Sequence, residues 1–327
     1  MRFVYKLVLV LVVTLLATFA FAEPMAEKLL VEGRVDEAIA LLQSAIRGAP
    51  QNAAAQNLLC RAYFSLGKWD AGIAACEKAS ALVPNNAEYH LWLGRIYGEK
   101  ADHSNFLTAA GLARKVRNEF ETAVRLNPNH AAARTDLAEF YMDAPAIVGG
   151  GKDKAAAQAA QLVALDAVKA GWVKGRIAEK NKDYVTAERE YRAAVQASKG
   201  RADAWVSLGR FYRDRDRLQE MEAAIRNAAA NPVNRPADFM DAAQVLITAN
   251  RNLSLAAELL RRYLAAGKFS EDEPGHKAHY LLGTLLEKQG DKKGAAEEYR
   301  AARGMARSFS LASDALDRLG RQSAGGL

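Results

Sequence analysis

The chain has 327 residues, half of them hydrophobic and a quarter charged, with two cysteines and a formal net charge of +7. Setting Arg2 and Lys6 aside leaves 43 basic against 38 acidic residues, a net of only +5. The signs alternate along helical stretches, as in Glu188-Arg189-Glu190 and Glu297-Glu298-Tyr299-Arg300, as on solvated helix faces; no run of like charges or basic–aromatic interleaving suggests nucleic acid.

In chain order, the first segment is a targeting signal. Arg2 and Lys6 are the only charges in residues 1–22, residues 7–21 are almost wholly apolar, and Ala20-Phe21-Ala22 has the small-x-small form of a cleavage site. That pattern predicts a signal peptide cut at Ala22-Glu23. The alternative, an uncleaved anchor, has an apolar run shorter than the roughly 20 residues a span needs. No cysteine stands at the cut to carry a lipid, and nothing later is apolar enough to cross a membrane. The expected location is periplasmic or secreted.

Residues 23–320 then read as repeated helix pairs, with 321–327 as a flexible tail. The first unit is worn: a short helix around residues 23–31, then Ala38-x₃-Leu42 and a closing Pro50. The second, to Pro84, has Leu59-Cys60-x₂-Tyr63, a turn at Gly67, and Cys76 and Ala79. The third opens at Ala87 and resumes at Val116-x₃-Phe120 only after about ten extra residues, 98–107. The fourth carries Leu137-Ala138-x₂-Tyr141 and breaks at residues 143–151, after which an Ala-rich helix is expected from Lys152 to about Ala170. The fifth has Gly175 and Ala187-x₃-Tyr191, the sixth ends near Pro232, the degenerate seventh keeps Ala256-Ala257-x₂-Leu260, and the eighth has Gly283, Gly290 and Ala295-x₃-Tyr299. An amphipathic capping helix is predicted over 309–319.

Trp205-x₂-Leu208-Gly209-x₂-Tyr212, echoed by His90-x₂-Leu93-Gly94-x₂-Tyr97 and His279-x₂-Leu282-Gly283-x₂-Leu286, resembles the first-helix pattern of the tetratricopeptide repeat. The resemblance covers nearly all of the chain beyond the signal. It implies an all-α solenoid of about eight helix pairs with a concave groove lined by first helices, used for binding protein or peptide rather than for catalysis. Small residues let paired helices approach, and neighbouring Tyr, Phe and Leu fill the grooves beside them.

Four arginines follow the small slot: Arg61, Arg95, Arg176 and Arg210, with steps of 34 residues from Arg61 to Arg95 and from Arg176 to Arg210. Two readings stand. The ladder grips carboxylates of an acidic or C-terminal peptide, or an anionic glycan, or each arginine pairs with an acid of its own or the next repeat. Asn57, Trp172 and Tyr280 are expected to share the groove. The Lys and Asn set of the chaperone-tail carboxylate clamp cannot be placed here.

Gly149, Gly150, Gly151 and Lys152 could aim N–H groups at an anion or form a structural turn; Ala146 and Asp153 rule out a Walker A loop. Cys60 and Cys76 stand at matching heights about the Gly67 turn, so they either form a disulfide or fill two small core slots. His276 and His279 with Glu273 have metal-like spacing, but His279 occupies an aromatic slot and no metal or cofactor is expected. No Ser–His–Asp order, G-x-S-x-G or H-E-x-x-H motif occurs. The expected function is a non-enzymatic periplasmic or secreted scaffold that binds a protein or peptide in the concave groove; the alternatives are an envelope-assembly or polysaccharide-export accessory factor and an enzyme sited in one of the two insertions.

Overall fold

The computed structural model describes residues 22–231 and 235–324. The signal segment 1–21, the sixth unit's Pro232 and residues 325–327 of the tail lie outside them. Among the described residues the regular structure is seventeen α-helices and one 3₁₀ turn. The helices run in pairs: α1 (Ala22–Val31) with α2 (Val35–Gly48), α3 (Ala53–Ser65) with α4 (Trp69–Leu82), α5 (Ala87–Asp102) with α6 (Phe106–Leu126), and α7 (Ala131–Asp143) with α8 (Lys152–Leu162). Then come α9 (Ala167–Lys180) with α10 (Tyr184–Ala197), α11 (Ala202–Asp214) with α12 (Leu218–Ala230), α13 (Ala237–Thr248) with α14 (Leu253–Ala266), and α15 (Gly275–Lys288) with α16 (Lys292–Met305). α17 (Ser310–Ala324) packs on α16 and caps the stack.

Each pair closes for a local reason. In five of them a three-residue turn has a left-handed middle residue: Gly33, Gly67, Lys182, Asp216 and Gly290, with φ of 75, 67, 61, 56 and 87°. Asn52, Asn86, Asp166, Asn252 and Asp291 accept hydrogen bonds from first-turn N–H groups of the following helices, a cap that Ala could not supply. Across the pairs the small slots do what their size requires: a Cβ on Gly94 would lie 2.4 Å from the Phe120 ring, and one on Gly283 2.6 Å from Tyr299. The tyrosines ending that pattern donate from their hydroxyls to an acid on the preceding pair, Tyr97 to Glu77 at 2.5 Å, Tyr141 to Glu121 at 2.8 Å and Tyr212 to Glu188 at 2.8 Å.

The two interrupted units are the third and fourth. Most of residues 98–107 become helix, so α5 and α6 reach 16 and 21 residues and project beyond their neighbours. Residues 143–151 instead form a 3₁₀ turn, Ala146–Val148, seated on α6 through Arg117 Nη1, which donates to the Val148 carbonyl at 3.2 Å. The single helix expected from Lys152 to about Ala170 is two. It ends at Leu162, and Asp166 starts α9 by accepting from the Val168 and Lys169 N–H groups, a capping signal that the run of alanines concealed. The core is two apolar bodies, one from α1 to α9 and one from α9 to α17, both packed against Trp172.

The two ends of the array meet. The Phe269 N–H, between α14 and α15, donates to the Val31 carbonyl at the end of α1 at 2.8 Å, and the Arg307 N–H donates to Asp36 at 2.8 Å. The solenoid therefore completes about one turn on itself, and its concave face encloses a lumen.

Candidate functional site

The lumen is walled by the first helices of the pairs, and three side chains on α3 and α5 form its most ordered feature. Arg61 and Arg95 both lie over the Trp92 ring, with guanidinium carbons 5.3 and 4.8 Å from the indole ring centroid. Cations so placed are attracted to the ring face. The indole N–H donates to Glu88 Oε1 at 2.8 Å, which fixes the ring. Arg61 turns Nε and Nη2 onto Glu271 Oε1 at 2.7 and 2.5 Å, while Arg95 Nε donates to Asp136 at 2.6 Å and its Nη1 lies 3.9 Å from Asp272. Burial opposes the charge on Arg95, but Asp136 and Asp272 outweigh it and hold the group protonated.

The other two arginines of the ladder are also engaged. Arg210 meets Asp241 at 2.5 Å, and Arg176 lies 3.8 Å from Asp143, which is held more closely by Lys180 at 2.6 Å. All four thus have an acid of a neighbouring repeat within reach, Arg61 at 3.8 Å from Glu27, but Arg61 is held most closely by Glu271 from the far end of the chain. Trp172 faces the lumen, where with Lys169, Arg201, Arg210 and Arg235 it lines a hollow of about 360 Å³ that Asp166, Asp203 and Asp241 balance. Asn57 is buried, with its Nδ2 unpartnered among the protein atoms. Tyr280 packs on Tyr299 and Phe309 against the capping end, away from the Arg61–Trp92–Arg95 stack.

Acids share this face with the arginines along α5 and α7. A hollow of about 540 Å³ beside Arg95 is lined by Glu99, Asp102, Asp136, Glu139, Asp143 and Asp272. Enclosure by the lumen, then the Asp136 and Asp143 carboxylates, push Glu139 up to about 7 although its side chain still touches water. These acids escaped notice because they stand singly, separated by helical spacing. Glu271-Asp272-Glu273 is instead a short acidic run, and it is the segment that meets Arg61 and Arg95. Trp92 sits three residues before Arg95 in an apolar-looking stretch and gave no separate signal.

The triple-glycine turn offers an anion no free backbone donor among its glycines. The Gly149, Gly150 and Gly151 N–H groups donate to the carbonyls of Ala146, Pro145 and Tyr141 at 2.9, 3.2 and 2.8 Å. Lys152 Nζ donates to the Lys180 carbonyl and Asn181, and a Cβ on Gly150 would strike the Ala144 carbonyl oxygen at 1.8 Å. The glycines answer a packing need. Cys60 and Cys76 are joined between α3 and α4 with Cα atoms 5.3 Å apart. His276 is buried against Phe309 and His279 pairs with Glu298 at 2.6 Å, so the two histidines serve different contacts. Among the described residues no group of three His, Cys, Asp or Glu could hold a metal ion, and no helix is long and apolar enough to cross a membrane.

Residues 29–97 and residues 240–308 each match a tetratricopeptide repeat family model. Among solved structures, yeast Tom70 is similar with a TM-score of 0.54 at 14% identity, over 91% of this chain and 65% of its own. A tetratricopeptide repeat protein from Parabacteroides merdae gives 0.47 at 16% identity, over 93% and 99%. A thermophilic TPR protein of Thermus thermophilus gives 0.48 at 20%, over 63% and 99%. At 14% identity the likeness to Tom70 speaks for the fold alone. No curated protein sequence matches the chain.

Proposed function

From a chain that is a tetratricopeptide repeat protein, we infer a non-enzymatic scaffold that holds a protein or peptide partner on its concave face. A solenoid of stacked pairs presents an extended inner surface on which a partner chain can lie. The observation that carries the reading is the Arg61–Trp92–Arg95 cluster, two guanidinium groups over one indole ring, with Arg61 gripping the Glu271 carboxylate through two nitrogens. Arg and Trp in such a setting are the residues that dominate protein recognition, and a guanidinium fork suits a carboxylate of an acidic or C-terminal segment. The apolar, cleavable look of residues 1–22 supports a periplasmic or secreted location.

The test is a crosslinking pull-down of the mature protein from its native envelope, with wild type beside Arg95→Glu/Arg210→Glu. Capture by wild type alone, with helical circular dichroism retained in the variant, is the expected result. Equal capture by both would remove the concave face from consideration.

A further inference from the structure

Residues 267–274, Gly-Lys-Phe-Ser-Glu-Asp-Glu-Pro, join α14 to α15 and cross to the opposite end of the array. The Phe269 ring fills a socket in which a Cβ on Gly33 or on Gly275 would lie 2.9 or 2.7 Å from it, with Tyr263 edge-on at a centroid distance of 5.4 Å. Its backbone N–H is held by Val31. Two residues on, Glu271 lies on Arg61, and Asp272, with 58% of its side chain exposed, reaches toward Arg95. Glu273 turns the other way, accepting from Gln244 Nε2 at 2.8 Å. An aromatic anchor followed by two carboxylates is thus docked on the Arg61–Trp92–Arg95 stack much as an extended acidic peptide from another protein would dock.

We propose that this loop is a built-in competitor for the partner. The partner's segment carries an aromatic residue with carboxylates two and three positions later, and it enters by displacing residues 268–272. This rests on the concave face being the partner site. Tethering gives the loop an effective concentration of order millimolar, so it excludes dilute acidic peptides that match only its own contacts. A partner with further contacts along the lumen gains what such a peptide lacks. The loop therefore acts as a specificity filter as well as a seal.

The experiment uses the whole mature chain and a fluorescein-labelled synthetic peptide of residues 267–275, read by anisotropy. Phe269→Ala/Glu271→Gln frees the socket and Arg61; Glu271→Gln/Asp272→Asn is the milder second variant should the first lose its helical circular dichroism. The peptide should bind the released protein at least tenfold more tightly than wild type, and adding Arg61→Gln should abolish that binding. Equal affinity for wild type and released protein, binding to neither, or binding that survives Arg61→Gln overturns the proposal. The envelope pull-down separates it from the scaffold reading. Tighter peptide binding with no captured partner removes the scaffold reading, and the loop's role as a competitor falls with it. Equal capture of one partner by wild type and released protein removes the loop proposal and leaves the scaffold.

Discussion

His276 is 1% exposed, lies 4.8 Å from the Phe309 ring and has an unpartnered Nδ1. Burial first, then Lys277 and His279, hold its pKa down to about 4 against the opposing pull of Ser65 and Asp36. An unfolded histidine takes up its proton near pH 6.5, so the buried neutral form stabilises the fold above that pH. This contribution is lost as the pH falls from about 6.5 through about 4. At pH 5 the loss is roughly 2 kcal/mol. Glu139, Asp272 and Glu273 are all raised, with burial the leading cause in each, and they act in the opposite sense, since protonation relieves them. The clean measurement is therefore a difference: melting at pH 7.5 and 5.0 of wild type and His276→Gln, in which the variant should lose less stability on acidification. A second pair isolates packing. Gly94→Ala, whose Cβ would press on Phe120, should cost about 1–3 kcal/mol, whereas a Cβ on Gly98, in the same helix, meets nothing within 4 Å. Gly98→Ala should be neutral or stabilising by up to about 1 kcal/mol, and thermal melts of the two would separate contact from propensity.

Between elements, the Cys60–Cys76 link ties α3 to α4 across a sequence separation of 16. Denatured, unreduced protein should show no reactive thiol. Replacing both cysteines by Ala should lower stability by about 3 kcal/mol, as expected for closing a loop of this length, and two free thiols would show that the pair only fills space. This pairing was half legible: antiparallel helices around one turn put the two residues level, but spacing says nothing of the Cβ vectors that a bond requires. The same limit applied to the interruptions. Extra residues at 98–107 and 143–151 were plain against the repeat period, yet one became longer helices and the other a packed 3₁₀ turn. The choice depended on what α6 offered as a partner, and Arg117 supplied it.

At the scale of the whole molecule the seam decides the shape. Phe269→Ala/Glu271→Gln removes its anchor and an ion pair and, among the repeat interfaces, disturbs only that between α14 and α15 through Tyr263 and Gly275, so helical circular dichroism should persist as the radius of gyration from solution scattering rises. An unchanged radius would show that Asp36, Arg307 and Met305 against Gly33 suffice to hold the ring. The sequence by itself determined the all-α class, the helix pairs and the 34-residue spacing of Arg61 from Arg95 and of Arg176 from Arg210. Those features rest on contacts between residues one helical turn or one repeat of about 34 residues apart, and a local period writes them directly into the chain. Only the tertiary structure decided that Arg61 meets Glu271, 210 residues away, and that acids from α5 and α7 face the same lumen. The reason is cumulative: each repeat adds a small rotation to the last, and only their sum over eight pairs determines which distant residues come face to face.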